Sequence, residues 1–498
     1  MPYRPIYSAE QVKELDLVAI EKYGISGYEL MQRAGCFAYS VLKKTWPKTS
    51  SISIFCGCGN NAGDGYVLAK LATEDGKKVS VINCFNPEKL EGDSKVAYQD
   101  LLTTNVQIYD HSQIDTEINI SCEVIVDAIF GTGLKRDIDD ENLVHTIEYI
   151  NEKRDLHKIL SIDIPSGLNA DTGHIMNVAV NADVTTTFIG MKKGIVTHDG
   201  RECSGQIVFD SLDIPIESYE KVGKVECYEV DFDFLGGYLD TRKRNSHKGN
   251  FGHVLVIGGD EGYLGASQMA AEAAMRVGSG LVSVATRKSH ASQISIAIPE
   301  IMSHGVETLD ELMPLIKRAN VAVIGPGLGQ SEWAKLLFAR VLESELPVII
   351  DADALNLLAE EEQSSPNWVI TPHPGEAARL LKTNTATIQF DRFQSAKMLH
   401  EKYQGPVVLK GSGSIVVDSR GTSFVCDAGN PGMSSGGMGD VLTGVIAGLI
   451  AQGLEINLAT VLGVSMHARA GDIAATLGER GMMATDLMPY LRELANPK

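Results

Sequence analysis

Apolar and polar positions fall into two recurring patterns along the chain: short, nearly unbroken apolar runs, and apolar residues three and four apart. The first pattern reads as strands buried on both faces, the second as helices with one covered side. Ser8 to Lys44 reads as helix, because Ser8 can cap it, Glu10 and Glu14 suit its first turns, and Val12, Leu15, Val18 and Ala19 mark an apolar face. Ser51 to Cys56 then reads as a strand, Gly57 to Gly65 as a glycine-rich turn, and Tyr66 to Ala72 as a helix. Strand, turn and helix in that order predict the first crossover of a Rossmann-like sheet. Further strands are expected at 124–127, 158–163, 184–189 and 206–209, closing the unit near Ile214-Pro215.

The second half repeats the alternation, with strands expected near 251–257, 281–285, 321–324, 347–351, 368–370 and 406–409 and helices between them. This predicts a second parallel sheet covered on both faces, hence an α/β protein of two domains, bounded at 1–222 and 223–498. A chain of 498 residues is long enough for two or three cores. Its 44 Lys and Arg against 64 Asp and Glu give a net charge of −20, which disfavours nucleic acid and anionic membrane as partners. Residues 1–8 lack the apolar centre of a signal peptide, and the longest apolar run, near 441–451, is too short to span a bilayer. A cytoplasmic protein is expected. The eight cysteines contain no Cys-x-x-Cys pair and are expected to be reduced.

Candidate chemistry gathers where predicted strands end. Gly429 to Asp440 is rich in glycine and runs into the apolar stretch Val441 to Ile450, so it should open a helix whose free amides and dipole favour a phosphate. A carboxylate there repels that guest unless it has a task, and the task open to Asp440 is to take a proton from a hydroxyl attacking phosphorus. Helix capping is the plainer alternative. In the first half Asn61, Asp127, Asp163 and Ser166 stand at equivalent strand ends, an all-oxygen set suited to a hard monovalent cation. In the second half Gly327, Asp351, Asp353, His373, Glu376 and Lys410 do the same. Asp351 and Asp353 also suit helix caps, His373 a turn between prolines, and Lys410 to Ser414 a hairpin. The basic cluster within 239–249 suits either a solvated face or a nucleotide's phosphates.

Together, Asn60-Asn-Ala-Gly-Asp-Gly65, Val126-Asp-Ala-Ile-Phe-Gly131, Ile162-Asp-Ile-Pro-Ser-Gly167, Thr371-Pro-His-Pro-Gly-Glu376, Lys410-Gly-Ser412 and Gly436-Gly-Met-Gly-Asp440 strongly resemble the bifunctional NAD(P)H-hydrate repair enzymes, in the family's order and over essentially the whole chain. The resemblance implies an N-terminal Rossmann-like domain that epimerises hydrated NADH and NADPH (NADHX, NADPHX). It implies a C-terminal ribokinase-like domain that dehydrates the S form at the expense of ADP, releasing AMP and phosphate. Carried over by motif, Asn61, Asp127 and Ser166 would hold K⁺. Asn60, Asn61, Ala62, Gly63, Asp64, Gly131, Thr132, Gly133, Leu134, Lys135, Arg136, Asp137 and Asp163 would meet the hydrate, with Asp163 as candidate acid/base. In the second domain Gly265, Gly327, His373 and Asp440 would meet the hydrate, Lys410, Gly411, Ser412, Gly413, Ser414 and Gly439 the nucleotide, and Mg²⁺ would bridge nucleotide oxygens. A homo-oligomer without nucleic-acid or membrane partners is implied. The rival reading is a ribokinase-like small-molecule kinase carrying a non-catalytic N-terminal binding module.

Overall fold

Runs such as Val124–Ala128 and Val184–Phe188 are buried at every position, as strands of a sheet covered on both faces must be. The computed structural model describes residues 3–113 and 122–496, which form two units, residues 5–225 and residues 226–496 together with Tyr3 and Arg4. In the first unit the strand order is Gln107–Asp110, Lys78–Asn83, Ser51–Cys56, Val124–Ala128, Lys158–Ile162, Val184–Phe188, Gln206–Asp210, with every neighbour parallel. Successive strands add outward on one side of Ser51–Cys56 and then on the other. The switch between Ser51–Cys56 and Val124–Ala128 opens a crevice at their carboxyl ends, as in a Rossmann-like sheet. Ile6 and Tyr7 pair in parallel with Met191 and Lys192.

Two expectations need correction. Residues 8–44 form two helices, Ala9–Tyr23 and Gly27–Thr45: Gly24 adopts left-handed φ 70°, its amide closes on the carbonyls of Ala19 and Ile20, and Ser26 caps the second helix. The expected turn at 57–65 is shorter, because the helix Asn60–Glu74 already begins at Asn60. Its glycines serve close packing: a Cβ on Gly63 would fall 2.4 Å from the Met31 sulfur, and one on Gly65 2.7 Å from Ala128 Cβ.

In the second unit the order is Met302–Gly305, Leu281–Thr286, His253–Ile257, Val321–Ile324, Val348–Ile350, Trp368–Ile370, Val407–Leu409, Ser414–Val417, Ser423–Cys426, Cys227–Val230. Pairing is parallel up to Val407–Leu409, where a hairpin turns the chain back into the antiparallel Ser414–Val417 and Ser423–Cys426. Helix Met438–Ala451, buried at nearly every position after Asp440, packs on Leu264–Arg276 and anchors the core. Among the described residues no helix is long and apolar enough to cross a membrane.

Candidate functional sites

The first site lies in the crevice of the N-terminal unit. Asp127 is fully buried and accepts hydrogen bonds from Ser166 Oγ (2.5 Å), Ser166 N (2.8 Å), Ser161 Oγ (2.8 Å) and Ile129 N (3.3 Å). Burial pushes its carboxyl up, the bonds from Ser166 and Ser161 oppose this, and no cationic side chain pairs with it among the described residues. Ser166 Oγ also accepts from Phe130 N at 2.8 Å, and Phe130 O accepts from Asn61 Nδ2 at 2.9 Å. Asn61 Oδ1 is buried with no hydrogen-bond partner among the described residues. Asn61, Asp127 and Ser166 thus converge, and the orphaned amide oxygen and the uncompensated carboxylate fit a K⁺ ion.

Asp163 stands at the end of the next strand in the left-handed region, φ 67°. A Cβ placed on Gly131 would lie 3.4 Å from Asn61 Cβ and 3.6 Å from Asp163 Oδ2, so the segment Gly131 to Asp137 starts between these two residues and runs outward to exposed positions. Asn60 is exposed, whereas Asn61 to Asp64 are buried. Two residues that sequence reasoning missed complete the cluster. Lys192, 1% exposed, donates to Asp163 Oδ1, to Thr187 Oγ1 (3.0 Å) and to the Phe188 carbonyl (2.9 Å). Asp16, on helix Ala9–Tyr23, is pushed up to about 6 by burial, the Lys192 charge lowering it and that of Asp163 raising it. Asp64 is pushed well up by burial, reinforced by the charges of Asp163 and Asp16. Nothing local marks Lys192; it reaches the site through the pairing of its strand with Ile6 and Tyr7, far away in sequence.

The second site lies at the carboxyl ends of the C-terminal sheet. Lys410 Nζ donates to Asp351 Oδ1 at 2.6 Å and lies 3.9 Å from Glu376 Oε2. Burial favours the neutral amine, but Asp351 and Glu376 outweigh it and raise the Lys410 pKa. Asp351 therefore binds Lys410 instead of capping the helix Ala352–Leu358, and Asp353 Oδ2 accepts from Gly329 N at 2.9 Å. Helix Met438–Ala451 starts after Gly437, whose φ of 94° suits glycine, and no side chain caps it. Asp440 stands in its uncapped first turn and its carboxyl has no hydrogen-bond partner among the described residues. Burial pushes that carboxyl up to about 7, with Asp351, Asp353 and Glu376 adding and Lys410 opposing. Glu376 is likewise pushed up to about 7, chiefly by burial.

Gly439 adjoins this cluster: a Cβ there would sit 3.1 Å from Lys410 Nζ and 3.2 Å from Asp351 Oδ2. Gly327 lies against the backbone of Tyr263, the residue just before the helix that carries Gly265, so these two glycine segments meet. His373 has a structural task as well, since its Nδ1 accepts from Gly375 N at 2.9 Å and caps helix Pro374–Leu380. Lys410 to Gly413 form the hairpin turn, braced by the buried Arg392, which donates to the carbonyls of Leu409, Lys410 and Gly413. In the basic segment, Arg242 stacks on Phe251 and donates to the Gly278 carbonyl, at the opposite end of helix Leu264–Arg276 from Gly265. Among the described residues no cluster of three or more His, Cys, Asp or Glu forms a ready metal cage.

The chain is similar to known proteins over nearly its whole length. A family model described as NAD(P)H-hydrate dehydratase matches residues 254–493, and one described as YjeF-related protein N-terminus matches residues 27–194. The bifunctional NAD(P)H-hydrate repair enzyme Nnr of Coxiella burnetii is 45% identical over 493 residues, covering 99% of both chains. The enzyme of the same name from Escherichia coli K12 is 40% identical over 494 residues, 99% of this chain and 94% of that one. The crystal structure of a ribokinase-like superfamily protein from Enterococcus faecalis, 30% identical with a TM-score of 0.51, covers 54% of this chain and 95% of that chain. The C-terminal unit accordingly has the ribokinase-like fold, beside an N-terminal parallel sheet. With 45% and 40% identity spread over 99% of its length, the chain belongs to the family of bifunctional NAD(P)H-hydrate repair enzymes.

Proposed function

We propose that residues 1–222 interconvert the R and S epimers of NADHX and NADPHX and that residues 223–498 dehydrate the S epimer at the expense of ADP, releasing AMP and phosphate. The observation that carries the reading is Asp440, a carboxyl without a hydrogen-bond partner among the described residues, pushed up to about 7 and placed beside Lys410 in the uncapped first turn of a buried helix. A base with a pKa near the working pH combines a useful fraction of the ionised form with adequate basicity. Asp440 takes the proton from the hydrate's C6 hydroxyl as that oxygen bonds to the terminal phosphorus of ADP and AMP leaves. The amides of Gly436 to Gly439 and Lys410 stabilise the charge of the transferring phosphoryl group. The ring nitrogen's lone pair then expels phosphate from C6, and loss of a proton from the neighbouring carbon restores the dihydropyridine.

Lys410, Gly411, Ser412, Gly413, Ser414 and Gly439 hold the nucleotide in this reading, and Gly265, Gly327, His373 and Asp440 hold the hydrate. Mg²⁺, arriving on the nucleotide, supplies neutralisation of phosphate charge. In the first unit Asn61, Asp127 and Ser166 hold K⁺, which supplies the positive charge that the buried Asp127 lacks. Residues 60–64 and 131–137 bind the hydrate, and Asp163 serves as acid/base at C6. The protein is taken to act as a cytoplasmic homo-oligomer. Incubation with NADHX, ADP and Mg²⁺ tests the reading: reduced nicotinamide absorbance should return with one phosphate and one AMP per turnover. A phosphorylated alcohol as the stable product would make the protein a kinase instead.

A further inference from the structure

The charged group that braces Asp163 belongs to none of the motifs assigned so far. Lys192 is buried, and its three N–H donors are all committed: to Asp163 Oδ1, to Thr187 Oγ1 at 3.0 Å and to the Phe188 carbonyl at 2.9 Å. An ammonium with every donor engaged has no proton to spare for substrate and little freedom to move. Asp163 itself sits in the left-handed region, at φ 67°, a conformation that a non-glycine residue keeps only when its surroundings enforce it. Its amide donates to the Thr186 carbonyl at 2.6 Å. One strand, Val184–Phe188, therefore holds both partners, Asp163 through Thr186 and Lys192 through Thr187 and Phe188. The ion pair occupies Oδ1 of Asp163, while Oδ2 lies towards Gly131, on the side where Asn61 also stands.

We infer that Lys192 is a positioning residue of the epimerase site: it clamps one carboxylate oxygen of Asp163 so that the other is held, aimed and unpaired, at the hydrate's C6. The inference rests on the proposed role of Asp163. It also gives the chain before residue 27, where the N-terminal family model begins, a part in the chemistry. Ile6 and Tyr7 pair with Met191 and Lys192 and fix the strand from which the clamp projects.

The test compares Lys192→Met, Lys192→Arg, Thr187→Val and Asp163→Asn in the full chain. For each, epimerisation is followed by chiral chromatography of the hydrate pool, hydrate binding and thermal melting control for folding, and dehydration of the S epimer controls for the amount of enzyme. A misplacement of about an ångström costs roughly 10²-fold, so Lys192→Met should lower kcat for epimerisation about that much while hydrate KM changes little. Lys192→Arg keeps the charge and should recover much of the loss; Thr187→Val, which frees one donor of the ammonium, should show a smaller effect of the same kind. In the Asp163→Asn background Lys192→Met should cost nothing further, because it acts through that carboxylate. Lys192→Met with kcat within threefold of the intact protein overturns the inference. So do parallel losses of kcat and hydrate binding in both Lys192 variants, the signature of a merely structural lysine. Normal epimerisation by Asp163→Asn instead overturns the role of Asp163 on which the inference stands.

Discussion

Replacing Asp440 by Asn separates chemistry from stability at one atom. The side chain keeps its size but can neither ionise nor accept the hydroxyl proton, so dehydration should slow by roughly 10²–10⁴-fold. Its effect on stability should have the opposite sign. The folded pKa, about 7, lies roughly three units above the ordinary 3.8. The folded state therefore binds more protons than the unfolded chain between these values. Stability is fully present below about pH 4 and is lost as pH rises through about 7. Three units at about 1.36 kcal/mol each set a ceiling of ~4 kcal/mol, and since Glu376 titrates in the same cluster a share of ~1–3 kcal/mol falls to Asp440. Asn removes this cost. At pH 8 the variant should melt several degrees above the intact protein, at about 2–4 °C per kcal/mol for a domain of this size, and the difference should vanish near pH 4. ADP affinity should be unchanged or tighter, because a negative charge beside the phosphates is gone. Turnover, ADP titration and melting at two pH values provide the assay. A fully active Asn variant, or one that melts lower at pH 8, refutes the reasoning.

Other perturbations address the remaining parts. Asp163→Asn should abolish interconversion of the epimers while dehydration of the S form continues, as chiral chromatography of the hydrate pool will read. Exchanging K⁺ for a large organic cation should weaken hydrate binding by the N-terminal unit, and Asn61→Ala should remove that dependence; equal affinity in both salts contradicts the cation site. Gly411→Ala would place a Cβ 2.7 Å from the buried Arg392 guanidinium at φ 149°. Strain of about 1–3 kcal/mol in this hairpin, proposed to hold the nucleotide, should raise the Kd for ADP ~10-fold, measured by calorimetry.

Much of the architecture was legible because buried parallel strands carry unbroken apolar runs, and because polar residues interrupt them only where the chain leaves the sheet. Asp127, Asp351 and Lys410 could be picked out on that ground alone. The helix that Asp440 opens was legible because its glycine-rich segment runs into an apolar stretch, whereas for Asp440 itself the sequence left a cap and a base both open. What escaped depends on contacts between distant segments. In the helix Asn60–Glu74 the glycines that read as a turn instead leave room for Met31 and Ala128, contacts that sequence does not show. For Asp351 the sequence leaves a strand-end site and a helix cap both open, and only the fold brings Lys410 to its carboxylate. Arg392 is a single cation held mostly by the backbone carbonyls of Leu409, Lys410 and Gly413, and a backbone carbonyl leaves no trace in sequence. Lys192 is a single cation whose partners Asp163, Thr187 and the Phe188 carbonyl are brought together only by the fold.

The most direct test of the whole account starts from the purified R epimer of NADHX, given to the intact chain with ADP, Mg²⁺ and K⁺. Both activities must operate in sequence for anything to happen to it. Complete conversion to NADH, with one phosphate and one AMP per molecule and the S epimer passing through as an intermediate, is the predicted result. Persistence of the R epimer while added S epimer is consumed contradicts the epimerase half, and accumulation of a phosphorylated hydrate contradicts the dehydratase half.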